Sequence, residues 1–178
     1  MRVDSLLSRA DVFAAQVHRD QTRKYTGEPY VEHCRSVAAI VSQHTSDEEV
    51  IAAALLHDTL EDTPTTHGDL ERIFGKRVAD LVLEVTDVSR PEDGNRATRK
   101  ERDRQHLLLS SREGATIKLA DLMDNTSSIV QHDPKFARVY LHEKRAVLEV
   151  LRHGPAGLFS DAEAMLGAAE EDLGHAKP

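Results

Sequence analysis

Residues 50–56 read Val-Ile-Ala-Ala-Ala-Leu-Leu and run without a break into His57, Asp58, Thr59, Leu60, Glu61 and Asp62. A helix that is apolar on every side has to sit inside a core, so this segment is the predicted centre of the fold. The residues directly after it are therefore carried on a buried, rigid element. Ionisable groups at such a place are costly unless an opposite charge is supplied. On a continuous helix His57 and Glu61 are four residues apart, as are Asp58 and Asp62, so the pairs line one quadrant. A divalent cation would supply the missing positive charge, with His and Asp as ligands and the remaining carboxylates free to handle protons.

The rest of the chain carries the same helical period and almost no strand signal. Leu6, Leu7, Ala10, Phe13, Ala14 and Val17 recur at intervals of three and four, which predicts a helix over 3–19. Gly27 and Pro29 make 20–29 a loop, and Val37, Ile40 and Val41 resume the stripe over 31–44. Ser46 with Glu49 predicts a capping box before the apolar run, and Thr66 with Asp69 a second cap before a helix ending near Phe74. Gly75 separates that helix from one over 76–88. Pro91 and Gly94 predict a mobile loop at 89–95. The charge run 96–104 is expected to be a solvated helix face. Residues 115–130 are striped again, Asp133-Pro134 starts a long helix ending before Gly154, and 155–178 form a terminal helical tail. Aromatic residues make up 4% of 178 residues and Trp is absent, so the core is built from Leu, Val, Ile and Ala. That mix suits packed helices better than a β-sandwich. The expected architecture is all-α, a single bundle of about eight to ten helices.

Charge and cysteine content narrow the function classes. A formal net charge of −8 argues against a duplex nucleic acid partner, which wants a broad basic face. A small phosphate-bearing ligand stays compatible, because a few placed cations override the global field within one pocket. No apolar run is long enough for a membrane span or a signal-peptide core, so a cytoplasmic protein is expected. Cys34 is alone and excludes an intrachain disulfide; a buried structural thiol is its expected role.

A His-Asp dipeptide alone is weak, since chance gives about one in a chain of this composition. Two are present, and His132-Asp133 reads as a helix cap. For His57-Asp58 a surface helix end and a metal site both fit, and the preceding apolar run favours the second. His33, in the first turn after a Pro-containing loop, and Asp121, inside an apolar stretch, are the places that would complete a site. His33, His57, Asp58 and Asp121 make a mixed nitrogen and oxygen set of the kind that suits Mn²⁺, Fe²⁺ or Zn²⁺.

Four blocks then carry a resemblance. They are His18-x-x-Gln21-x-Arg23-Lys24 with Gly27-x-Pro29-Tyr30-x-x-His33; Ala54-Leu55-Leu56-His57-Asp58-Thr59-x-Glu61-Asp62-Thr63; Val85-Thr86-Asp87; and Lys118-Leu119-Ala120-Asp121-x-x-x-Asn125. In this order they resemble the HD-domain metal-dependent phosphohydrolases, and more narrowly the hydrolase domain of RelA/SpoT-type enzymes and the small alarmone hydrolases. The resemblance implies an HD helical bundle over 1–154 with 155–178 as a tail on it. It implies one Mn²⁺ held by His33, His57, Asp58 and Asp121, and water activation by Glu61 and Asp62. It further implies substrate contacts from Arg23, Lys24, Asn125, Ser128 and Tyr140. The implied reaction removes the 3′-pyrophosphate of (p)ppGpp, giving GDP or GTP. Asp124, and the lack of an arginine after Asn125, depart from the best-known members. That departure concerns the nucleotide more than the reaction, and (p)ppApp or the 2′-phosphate of NADPH are the alternative substrates. A non-catalytic nucleotide-binding module is the reading from a different class, and it would need a damaged site.

Overall fold

The computed structural model describes residues 5–175. Among them the backbone forms ten α-helices and a short 3-10 turn at Pro91–Asp93, with no strand beyond an isolated bridge between Thr22 and Pro29. The chain packs as two compact units, Met1–Thr86 and Asp87–Pro178.

The first unit holds α1 (Leu6–Val17), α2 (Val31–Ser42), α3 (Glu48–Leu56), α4 (Thr59–Asp62), α5 (His67–Phe74) and α6 (Lys76–Val85). The all-round apolar helix is α3, and it packs against α1, α2 and α6. Ala52, Ala53, Ala54 and Leu56 are fully buried there, as are Ala10 and Ala14 on α1, Cys34, Val37 and Val41 on α2 and Val82 on α6. Small side chains along α3 let three helices approach it closely, and that fixes the position of its C-terminal end. Arg35 reaches across from α2 with a two-pronged contact to Asp11 of α1, at 2.6 and 2.9 Å. Gly75 has φ +94, which lets the chain turn between α5 and α6 where a side chain would be strained.

Several boundaries differ from the sequence reading. The cap of α3 is Asp47, whose carboxylate accepts the Glu49 amide at 3.0 Å and also pairs with Arg77 at 2.8 Å, so it displaces Ser46. Helix α6 stops at Val85 because Thr86 turns extended and its hydroxyl donates to the Val82 carbonyl at 2.7 Å. Val3, the predicted start of the first helix, lies outside the described residues.

The second unit holds α7 (Arg96–Leu107), α8 (Arg112–His132), α9 (Pro134–Val150) and α10 (Ala156–His175). Helix α8 packs on α9 and α10, and α7 on α9. Ser111 caps α8 by accepting the Gly114 amide at 3.0 Å, which starts this helix earlier than its apolar stripe alone predicts. Asp133 and Pro134 start α9 as expected, with the Asp133 carboxylate accepting the Phe136 amide at 3.1 Å. The segment over 89–95 is tied to α7: the Ser89 amide and hydroxyl both donate to the buried Asp103, at 2.8 and 3.0 Å. Pro and Gly content predicts a mobile loop there because composition carries no information about a partner fourteen residues away.

Candidate functional site

In the first unit the break after α3 builds the site. His57 is the residue after the helix and Asp58 the one before α4, so the predicted continuous helix is two helices joined by a turn. The Asp62 amide still donates to the Asp58 carbonyl at 3.0 Å, which keeps the acidic residues of α4 one turn beyond Asp58. His33 arrives from the first turn of α2. His33, His57 and Asp58 are all buried, and one ligand atom from each lies within 4.8 Å of the others.

The electrostatics of this cluster fit a cation. His57 Nδ1 lies 2.9 Å from the Ala54 carbonyl oxygen, which only accepts, so Nδ1 carries a proton and Nε2 is the ring nitrogen turned the other way. That Nε2 faces Asp58 Oδ2 at 3.1 Å, and His33 Nε2 faces the same oxygen at 3.4 Å. Electron-rich atoms converging in a buried place are stable when a positive charge lies among them. The Tyr30 hydroxyl donates to Asp58 Oδ2 at 2.6 Å and orients the carboxylate. Rings continue the arrangement: His18 to Tyr30, Tyr30 to His33 and His33 to His57 have centroids 5.0, 5.5 and 5.1 Å apart. Gln21 accepts from His18 at 2.7 Å and donates to the Asp62 carbonyl at 2.7 Å, so it couples this ring stack to α4.

Asp62 is exposed as a residue, yet loss of water around its carboxyl and the neighbouring Asp58 charge hold it above the ordinary carboxylate range. Such a carboxyl takes up a proton more readily than a free one. Glu61 is exposed beside it. Arg23 and Lys24 lie on the turn that the Thr22–Pro29 bridge closes, where the Arg23 amide donates to the Glu28 carbonyl at 2.8 Å. Lys24 Nζ sits 4.8 Å from the centroid of the Tyr25 ring and donates to its hydroxyl at 3.2 Å.

In the second unit, Asp121 is buried on α8 between residues of its own helix. Lys118 Nζ lies 3.2 Å from one carboxylate oxygen, and the Asn125 amide donates to the other at 2.6 Å. A cavity of about 300 Å³ in this unit is lined by Asn125 and Tyr140 together with Arg96, Lys100, Lys118 and Lys144. Ser128 is not among its lining residues; its carbonyl accepts from His132 Nδ1 at 2.8 Å. Burial raises the Tyr140 hydroxyl above its ordinary value, and so does the nearby Asp121 charge. Burial would raise Asp87 as well, but Lys118 and Lys100 outweigh it and hold that carboxyl below the usual range.

Two features escape a residue-type reading. Tyr30 lies inside one of the four motif blocks, but nothing in its spacing says that its hydroxyl serves Asp58. Arg96, Lys100 and Arg104 recur every four residues in what looks like a solvated charge run, yet all three line the cavity. That spacing is the signal that would have placed them on one face.

The HD domain family profile matches residues 10–153. The chain belongs to the HD-domain family. A guanosine-3′,5′-bis(diphosphate) 3′-pyrophosphohydrolase, MESH1 of Danio rerio, is 42% identical over 126 residues, 69% of this HD-domain chain and 68% of that one. A second protein of that enzyme name, from Aquifex aeolicus, is 40% identical over 125 residues, which are 69% of this chain but 18% of that protein's length. The chain thus spans about a fifth of the long curated relatives. A solved structure of a metazoan SpoT ortholog, described as hydrolysing ppGpp, superposes with a TM-score of 0.83 at 31% identity over 94% of this chain and 97% of that one. Among the described residues no helix is long and apolar enough to cross a membrane.

Proposed function

We propose that this HD-domain protein is a Mn²⁺-dependent hydrolase that removes the 3′-pyrophosphate of (p)ppGpp, giving GDP or GTP and pyrophosphate in the cytoplasm. The observation that carries the reading is the buried convergence of His33, His57 and Asp58, in a chain 42% identical to a hydrolase of that name over 69% of its length. In this proposal residues 1–154 are the working domain and 155–178 a helical tail on it.

His33, His57, Asp58 and Asp121 are assigned as the metal ligands, with Fe²⁺ and Zn²⁺ as the other ions that suit this nitrogen and oxygen set. A divalent cation held there supplies Lewis acidity, which acidifies a water and offsets phosphate charge. The Ala54 carbonyl and the Tyr30 hydroxyl keep His57 and Asp58 in the orientation that binding needs. Glu61 and Asp62 take the proton of the attacking water, and the raised basicity of the Asp62 carboxylate suits that task. The water oxygen then attacks the 3′-linked phosphorus in line and the bond from that phosphorus to the 3′-oxygen breaks; the 3′-oxygen takes back the proton held on the carboxyl and leaves as the nucleoside hydroxyl, while the attacked group departs as pyrophosphate. Arg23 is assigned to stack on the purine and Lys24 to offset phosphate charge, with Asn125, Ser128 and Tyr140 as further contacts.

The test is product analysis with the Mn²⁺-loaded full chain and ppGpp, pppGpp, ppApp and NADPH. Pyrophosphate and GDP from ppGpp are expected, at a higher kcat/KM than for ppApp or NADPH. Orthophosphate release from NADPH alone would overturn the assignment in favour of a 2′-phosphatase. Preferred turnover of ppApp would keep the reaction and change the base.

A further inference from the structure

Helix α4 is a single turn, Thr59–Asp62, and it carries both Glu61 and Asp62. So short a helix is marginal by itself, and its last carbonyls have no partner inside it. Thr63 turns extended directly after it, with φ −136 and ψ 166, so the helix does not continue to supply them. Side chains supply donors instead. The Thr63 hydroxyl donates to the Thr59 carbonyl at 2.7 Å, a local contact. The Gln21 carboxamide donates to the Asp62 carbonyl at 2.7 Å, from 41 positions earlier in the chain.

A carboxamide can turn either end to a neighbour, and His18 settles which. The Asp62 carbonyl only accepts, so the nitrogen of Gln21 faces it and Oε1 faces His18 Nδ1 at 2.7 Å, where the imidazole donates. A flipped carboxamide would set donor against donor and oxygen against oxygen, and both hydrogen bonds would be lost. His18 ends α1, is 1% exposed and has its ring centroid 5.0 Å from that of Tyr30, so it is held in place. A histidine that served only to end α1 would need no link to α4. Its Nε2 is buried without a hydrogen bond, a costly arrangement that an apolar ring would avoid. The orientation of Gln21 is what the imidazole provides and an apolar ring would not.

We infer that His18 and Gln21 are positioning residues that hold Asp62 where it reaches the attacking water, His18 acting through Gln21. This assignment rests on the hydrolase reading for the task of Asp62 and on none of the substrate contacts. In assays of the Mn²⁺-loaded full chain with ppGpp, Gln21→Met and His18→Phe should each lower kcat roughly 10- to 100-fold, the effect of a misplaced catalytic group, with KM and the Mn²⁺ Kd within about threefold of the parent. The double variant should be no slower than Gln21→Met alone, because both changes break one link. A parent-like kcat in folded Gln21→Met, losses that multiply in the double variant, or a fall in Mn²⁺ affinity that accounts for the lost turnover would each overturn the assignment.

Gln21→Glu covers a methionine variant that does not fold. Its ionised carboxylate keeps the shape but has no proton for the Asp62 carbonyl, so the same fall in kcat is expected, and parent-like turnover counts against the assignment. Hydrogen exchange of residues 59–63, read by mass spectrometry without substrate, separates the link from the reaction. Faster exchange there in Gln21→Glu than in the parent supports the link even where the parent leaves ppGpp intact, a result that defeats the proposed reaction instead. Equal exchange overturns the link.

Discussion

At Asp58 one carboxylate oxygen is approached by three groups: the Tyr30 hydroxyl at 2.6 Å, His57 Nε2 at 3.1 Å and His33 Nε2 at 3.4 Å. Of the four assigned ligands Asp58 is the anion on which the two imidazoles converge, so Asp58→Ala is expected to lose measurable Mn²⁺ binding and all turnover. Glu61→Gln keeps the cluster and removes an exposed carboxylate; it should bind Mn²⁺ like the parent while kcat falls at least about a hundredfold. Full activity of either variant with Mn²⁺ would remove the site assignment. Tyr30→Phe separates orientation from ligation, because the ring keeps its place beside His18 and His33 while the donor to Asp58 is gone. Loss of such an orienting contact typically costs about 10- to 100-fold in metal affinity, which a Mn²⁺ titration of the variant measures. Unchanged affinity would mean that the hydroxyl does not orient Asp58.

At the scale of elements, α3 decides whether those residues stay in place. Leu56 is fully buried one residue before His57, so Leu56→Ala is expected to cost about 2–5 kcal/mol, measured by denaturant unfolding. A cost near zero would mean that α3 is not the packed centre of its unit. The tie between α1 and α2 carries a pH dependence. The hydrogen bonds from Arg35 outweigh burial and hold the Asp11 carboxyl below its ordinary range. A carboxyl lowered in the folded state contributes stability above its unfolded value and loses it as pH falls through the folded one. Parent and Asp11→Asn should therefore differ by about 0.5–1 kcal/mol at neutral pH, a modest figure because both partners are partly exposed. The difference should close below about pH 4. A difference that persists in acid would point to packing rather than the ion pair.

For the whole molecule, the metal is the lever that links site to stability. An ion that binds the folded chain and not the unfolded one stabilises by about 2.7 kcal/mol at a hundredfold excess over its Kd. For a chain of this length that is a Tm rise of about 5–10 °C with Mn²⁺, abolished by chelator and absent in Asp58→Ala. An identical Tm with and without Mn²⁺ would argue against a metal site in the native chain. Helical periodicity, caps such as Thr66 with Asp69 and Asp133 with Pro134, and the apolar run into His57 were legible in the sequence, because each is a local pattern whose physical meaning holds within one or two turns. The all-α class and the HD blocks rest on them. The exchange of Ser46 for Asp47 as cap, the end of α6 at Val85 and the anchoring of Ser89 were not, since each depends on a partner that becomes a neighbour only on folding. The same limit applied to chemistry: residue types marked His33, His57 and Asp58 as candidates, while their approach to within 4.8 Å needed α2 and α3 to pack. Lys100, Lys118 and Lys144 share no pattern in the sequence, yet one cavity gathers them from three helices. Only folding could show that, because electrostatic interaction depends on distance in space and the sequence records only order along the chain.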